Sequence, residues 1–452
     1  MAIALPREYN FLARFYRLAS VSVLSNMMVP LAGLVDAAFL GHLNDIRHLA
    51  GVILASILFD YIYRVLKFIR TSTNAITAQA VGAEDQTATV QALLRNGLIA
   101  LGISVVILLI QYPLQKAGFF LLSGASEVES SGVEYFYARI WGAPAVLLNF
   151  VLFGWFLGRE MNGKVLLLSL IGNGANVLLD YLMIIRWGWA SSGAGLATAL
   201  SQYLALVVGL IAVAVTIPWS AVPAAIATVW DRQALKDTVV LKGNIMIRFL
   251  VLISTYSIFT NISSTMGTMT LAQNGLLLQI ALLSQFTVQG VGMTAQTLIG
   301  NFKSKGAIAQ LAPVLIVALC TTVPIALSIA AIAILRPDLL FGLLTSHADV
   351  NRGLTDYTIW LLPLLETTTI AFMFEGYFIG LKESTLLRNS VLIAFGGGFM
   401  PLAATAWYTQ NNHLLWFSLV MYMLLLSVVL GSQISRTLNE LKEAYQTPMP
   451  SL

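Results

Sequence analysis

The chemistry open to this chain rests on a few ionisable groups stranded in apolar sequence. The acidic ones are Asp36, Asp60, Asp180, Glu366 and Glu375; the basic ones are Arg64, Lys67, Arg139 and Arg248. A charge at the centre of a membrane-crossing helix costs roughly 2.5–3.5 kcal/mol on insertion scales, so it is kept where it faces a cavity or a partner. Asn173, Asn176 and Asp180 are spaced i, i+3, i+7 and share one helical face. At 1.5 Å per residue, Asp36 and Asp180 each fall roughly 6–10 Å inside the outer ends of their helices. Asp36, Asp180 and Asn176 are therefore the candidate ion-coupling group. A carboxylate in a poorly hydrated pocket can be charged or neutral according to which side of the membrane it faces. The competing reading is that these side chains only bridge neighbouring helices.

Asn149, Tyr137, Asn173, Thr198 and Gln202 lie at depths that suit the lining of a substrate cavity. Pro30 and Gly33, six and three residues before Asp36, form a candidate hinge. Glu366 and Glu375 are nine residues apart, 2.5 helical turns, so they face opposite ways and do not make one site. Arg248 is a candidate partner for one of them, in a second coupling or gating role. Asp60 and Arg64 are spaced to pair, while Lys67 and Arg70 are placed to snorkel to the inner surface.

These residues need helices to hold them. The 452 residues are 58% hydrophobic and 10% charged, against about 25% charged in a soluble domain, so lipid must replace water around most of the chain. The single cysteine, Cys320, allows no internal disulfide, and the four histidines have no ligand partners at metal spacing. No metal or cofactor is expected. No nucleophile–base constellation marks an enzyme, and the net charge of +4 is no sign of nucleic-acid binding in a membrane protein.

Apolar stretches of about 20 residues predict twelve spans, near 14–40, 48–71, 93–113, 134–158, 165–186, 193–217, 243–266, 275–300, 310–335, 356–381, 387–408 and 413–433. An even number puts both termini on one side. Taking that side as cytoplasmic places seventeen Lys and Arg at inner positions and five at outer ones. The expected divisions are a six-helix bundle over 1–217, a cytoplasmic linker over 218–242, a second bundle over 243–435 and a tail over 436–452.

The halves repeat. Thr77-Ala78-Gln79 returns as Thr294-Ala295-Gln296, 217 residues later; Gly154-Trp155-Phe156-Leu157-Gly158 returns as Gly376-Tyr377-Phe378-Ile379-Gly380, 222 residues later. Six spans per half give both halves the same orientation, which predicts a pseudo-twofold axis along the membrane normal. The fold class is thus an all-α membrane protein of twelve transmembrane helices in two six-helix bundles.

Several of these motifs resemble the multidrug and toxic compound extrusion (MATE) family. They are Pro30-Leu31-Ala32-Gly33-Leu34-Val35-Asp36, the Thr77-Ala78-Gln79 run, Gly172-Asn173 through Asn176 to Asp180, and Gly193-Ala194-Gly195 with Thr198. Glu375-Gly376-Tyr377-Phe378-Ile379-Gly380 followed by Leu387-Arg388-Asn389-Ser390 resembles its DinF-like branch. The resemblance spans about 10–435. It implies an antiporter that exports small organic, often cationic or amphipathic, compounds against protons or sodium; a monomer in the bacterial cytoplasmic membrane is the default expectation. It further implies a coupling role for Asp36 and Asp180, with Asn176, Thr198 and Asn149 beside them. Other branches carry a Glu on the seventh helix; here that helix has Arg248 and no carboxylate. A lipid-linked sugar flippase of the related superfamily is the rival reading, and it would need an Arg-lined cavity. A major facilitator is disfavoured because the inner 82–94 loop lacks a basic Gly-Asp-Arg pattern.

Overall fold

The computed structural model describes residues 7–41, 45–122, 126–337 and 348–446, and no strand occurs among them. In lipid every backbone N–H and C=O must be satisfied within the protein, and a helix does this locally. Eleven helices among the described residues are long and apolar enough to cross a membrane. They follow α1 (Leu12–Gly41), itself 30 residues long. In chain order they are α2 (Arg47–Gly82), α3 (Gln86–Leu109), α4 (Glu127–Gly158), α5 (Asn162–Arg186) and α6 (Ala190–Thr216). Then come α7 (Arg232–Thr265), α8 (Thr268–Ser304), α9 (Ile308–Leu335), α10 (Gly353–Gly380), α11 (Ser384–Thr409) and α12 (Asn412–Tyr445). All twelve expected spans are present.

The chain forms two compact units, one of Leu24–Lys242 and one of Gly243–Leu452 together with Met1–Val23. The division falls inside α1, not at its start. In the second unit the Phe11 ring meets Phe302 edge-on at 5.8 Å, and Gly290 lies against the Val23 backbone. The stretch read as a linker is also structured. Ala221 and Ala225 pack on Val90 of α3. Arg95 donates to the carbonyls of Val229 (3.1 Å) and Thr228 (2.7 Å). Helix α7 then begins at Arg232, and α12 continues past 435 to Tyr445, whose hydroxyl donates to the Lys303 carbonyl at 2.7 Å.

The backbone itself repeats, and its register is 222 residues. Six of the eight left-handed residues described pair at that spacing, Glu84 (φ 58°) with Gly306 (72°), Glu160 (58°) with Lys382 (62°), and Gly188 (70°) with Gln410 (52°), while Ala190 and Gly267 stand outside it. Helix contacts obey it too. A Cβ on Gly158 would sit 2.9 Å from the Asn74 carbonyl oxygen, and one on Gly380 would sit 2.7 Å from that of Gln296. Gly154 lies on the Arg70 carbonyl, and Gly376 on that of Gly292. The small-xxx-small pairs of α4 and α10 thus let α2 and α8 approach at backbone distance. This corrects the sequence register of the Thr-Ala-Gln match. Asn74 is equivalent to Gln296, so that match at 217 is a local coincidence.

Candidate functional site

In the first unit Asp180 is fully buried, and Asn176 Nδ2 donates to its Oδ2 at 2.8 Å. The i, i+4 spacing on α5 permits this contact directly. Just beyond Asp180 the helix widens into a π-helical segment over Tyr181–Arg186, a form that recurs at functional positions. The third member of the predicted stripe does not join. Asn173 is half-buried and donates back to the Ser169 carbonyl at 2.7 Å, the i−4 bond open to any polar side chain within a helix. Pro30, Gly33 and Asp36 lie on the helical span of α1, but their side chains fall outside the described residues.

Asn149 and Gln202 meet across α4 and α6. Asn149 Nδ2 donates to the Gln202 backbone carbonyl (2.9 Å) and to its Oε1 (3.1 Å). Thr198, one turn away, is half-buried and donates to Ala194 at 2.9 Å instead. Tyr137 is half-buried with its ring edge-on to Phe136 at 5.5 Å. These two helices are held close by Gly195, where a Cβ would lie 2.6 Å from the Tyr135 carbonyl. Arg139 is engaged locally. Its Nη1 donates to the Tyr135 hydroxyl at 2.6 Å, and its guanidinium stacks on Phe59 at 4.6 Å.

Asp60 and Arg64 are both exposed, and no ion pair joins them among the described residues. Spacing along a helix allows a pair but does not require one when water or headgroups compete. Arg70 also departs from expectation. In place of snorkelling, its Nη1 reaches Asn26 at 3.3 Å and its guanidinium lies over Phe153 at 5.1 Å.

In the second unit Arg248 and Glu375 form a buried two-point ion pair between α7 and α10. Nε donates to Oε1 at 2.8 Å, and Nη2 meets Oε2. The guanidinium also lies over the rings of Phe249 and Phe372, at 4.6 and 5.1 Å. Glu366 stands apart on α10, half-buried, with Oε1 buried and unpaired. The two acids thus make separate sites, as 2.5 turns require. The sequence reading missed a polar knot in this unit. Asn274 donates to Ser263 (2.8 Å) and Asn412 (2.7 Å), and its Oδ1 accepts from Trp416 (2.8 Å). Gln285 donates to the Tyr256 hydroxyl at 2.6 Å. Each is an amide inside an apolar run, a signal that was available.

Eleven helices long and apolar enough to cross a membrane, preceded by α1 and arranged as a repeat, define a polytopic helical membrane protein. The MatE family profile matches residues 22–182. DNA damage-inducible protein F of Escherichia coli is 28% identical over 92% of this chain and 90% of its own. Protein DETOXIFICATION 44, a chloroplastic protein of Arabidopsis thaliana, is 21% identical over 88% of this chain and 77% of its own. The solved structure of a multidrug resistance MATE transporter in an outward-facing conformation superposes with a TM-score of 0.83, at 19% identity, over 95% of this chain and 96% of its own. The chain is thus similar to MATE proteins, by profile over 22–182 and over most of its length to DNA damage-inducible protein F.

Proposed function

We propose that the protein is a proton-driven antiporter that exports organic, often cationic or amphipathic, compounds by alternating access. The observation that carries this reading is Asp180, fully buried inside an apolar helix with one oxygen on Asn176. A carboxylate kept from water and lipid can take up a proton on one side of the membrane and release it on the other. Asp36 would share the proton, and the adjoining Pro30 and Gly33 would let α1 bend in response. Asn149, Gln202, Thr198 and Tyr137 would line the substrate path on α4 and α6. The lopsided distribution of Lys and Arg supports cytoplasmic termini in a bacterial inner membrane. The names of the detoxification and multidrug resistance relatives support an organic substrate.

The test is efflux of ethidium from proteoliposomes under an imposed pH gradient, comparing the native chain with Asp180→Asn and Asp36→Asn. Loss of gradient-driven flux in either variant is the expected result. Undiminished flux in both would reject the carboxylates as couplers. Flux that follows a sodium gradient and ignores pH would replace the proton with sodium.

A further inference from the structure

The 222-residue register exposes an imbalance between the two units. Arg248 of α7 is equivalent to Asn26 of α1, and Glu375 of α10 is equivalent to Phe153 of α4. Arg70 places its guanidinium against just those two residues, with Nη1 toward Asn26 and the plane over Phe153. Both units therefore hold a guanidinium at corresponding places between their first and fourth helices. Among the described residues, only the second unit supplies a carboxylate there.

The edge of each guanidinium makes the comparison sharper. Arg248 holds Glu375 through Nε and Nη2. In Arg70, Nε and Nη2 are the buried atoms that lack a hydrogen-bond partner. This fork matches the two oxygens of a carboxylate, and leaving buried charged donors unpaired is costly. The same face of α2 adds Tyr63, Lys67 and Thr77, spaced i−7, i−3 and i+7 from Arg70. The hydroxyls of Tyr63 and Thr77 are buried and unpartnered as well.

We propose that the Arg70 fork in the first unit is a binding site for the carboxylate of a small acidic amphiphile. Phe153 packs under the guanidinium, and Lys67 adds a second positive charge one turn away. This extends the exporter reading to acidic or zwitterionic substrates, and it rests on that reading only for the occupant being cargo. Binding itself does not depend on how transport is driven.

The experiment is fluorescence anisotropy of 2-naphthoate, with neutral 2-naphthamide as control, titrated with full-length protein in phosphatidylcholine nanodiscs. The native chain should bind naphthoate and discriminate against the amide. Arg70→Gln should weaken binding about ten-fold or more, the equivalent of one charge-assisted contact. Arg70→Lys should retain part of it. Phe153→Glu installs the carboxylate that the second unit already has, and it should abolish naphthoate binding in a monodisperse protein. Equal affinity for acid and amide, or unchanged binding in both Arg70→Gln and Phe153→Glu, would overturn the site. Loss of binding when phosphatidylglycerol replaces phosphatidylcholine would overturn the soluble occupant in favour of a lipid phosphate. An Asp180→Asn chain that still binds naphthoate while losing proton-driven flux would separate the two proposals.

Discussion

Arg248 and Glu375 are joined at both ends of the guanidinium fork, with Nε on Oε1 at 2.8 Å and Nη2 on Oε2, inside the protein and away from lipid. A buried pair of this kind contributes little over an apolar filling, yet breaking it strands a charge. Arg248→Leu or Glu375→Leu alone should therefore destabilise the second unit by about 3–5 kcal/mol. The double variant should recover most of that loss. Thermal unfolding of the four proteins in one detergent completes the cycle. Single variants as stable as the native chain would show that the pair bears no strain of charge.

The close approach of α4 on α2 and of α10 on α8 predicts matched sensitivities. A Cβ at Gly158 would come within 2.6 Å of the Thr77 Cβ, and one at Gly376 within 2.8 Å of the Gly292 carbonyl. Gly158→Ala and Gly376→Ala should each cost about 1–3 kcal/mol through overpacking. Gly97 has nothing within 4 Å of its Cβ direction, so Gly97→Ala should gain up to about 1 kcal/mol from helix propensity. Melting temperatures that rank the three variants alike would refute the packing argument.

Much of this architecture can be read from sequence because apolar length is a direct consequence of bilayer thickness. The twelve spans follow from that alone, and Asn176 meets Asp180 because i, i+4 neighbours meet on any helix. What the sequence hides is contact between helices. Nothing in the spacing shows Asn173 turning back to Ser169, or Arg70 turning inward to Asn26 instead of outward to headgroups. Helix ends were misplaced as well. The residues before α7's apolar stretch are polar, yet they continue the helix back to Arg232. The true register of the repeat rests on backbone geometry, which short side-chain matches in an apolar chain do not constrain.

The Asn149–Gln202 contact is asymmetric, and so are its consequences. Asn149→Ala removes the donor that serves both the backbone carbonyl and Oε1 of Gln202. Gln202→Ala removes one acceptor and leaves the backbone carbonyl in place. The first should cost about 1–3 kcal/mol and the second clearly less. Thermal unfolding decides it, and a larger loss for Gln202→Ala would mean that its amide serves some contact other than Asn149.

The left-handed positions give a prediction from the repeat itself. Glu84 and Gln410 hold φ near 58° and 52°, where their equivalents Gly306 and Gly188 are glycines. A side chain at such an angle crowds its own backbone, by about 1–2 kcal/mol in the extreme. Both residues are exposed, so their replacement forfeits little packing. Glu84→Gly and Gln410→Gly should each raise stability by about 1 kcal/mol or less, since glycine also loosens the unfolded chain. Gly306→Ala should do the opposite, and its Cβ would also stand 3.3 Å from the Tyr445 ring. Unfolding midpoints measured side by side test all three. A fall in both glycine variants would mean that the side chains of Glu84 and Gln410 hold these turns, and that the shared backbone shape of the two halves is maintained by different means in each.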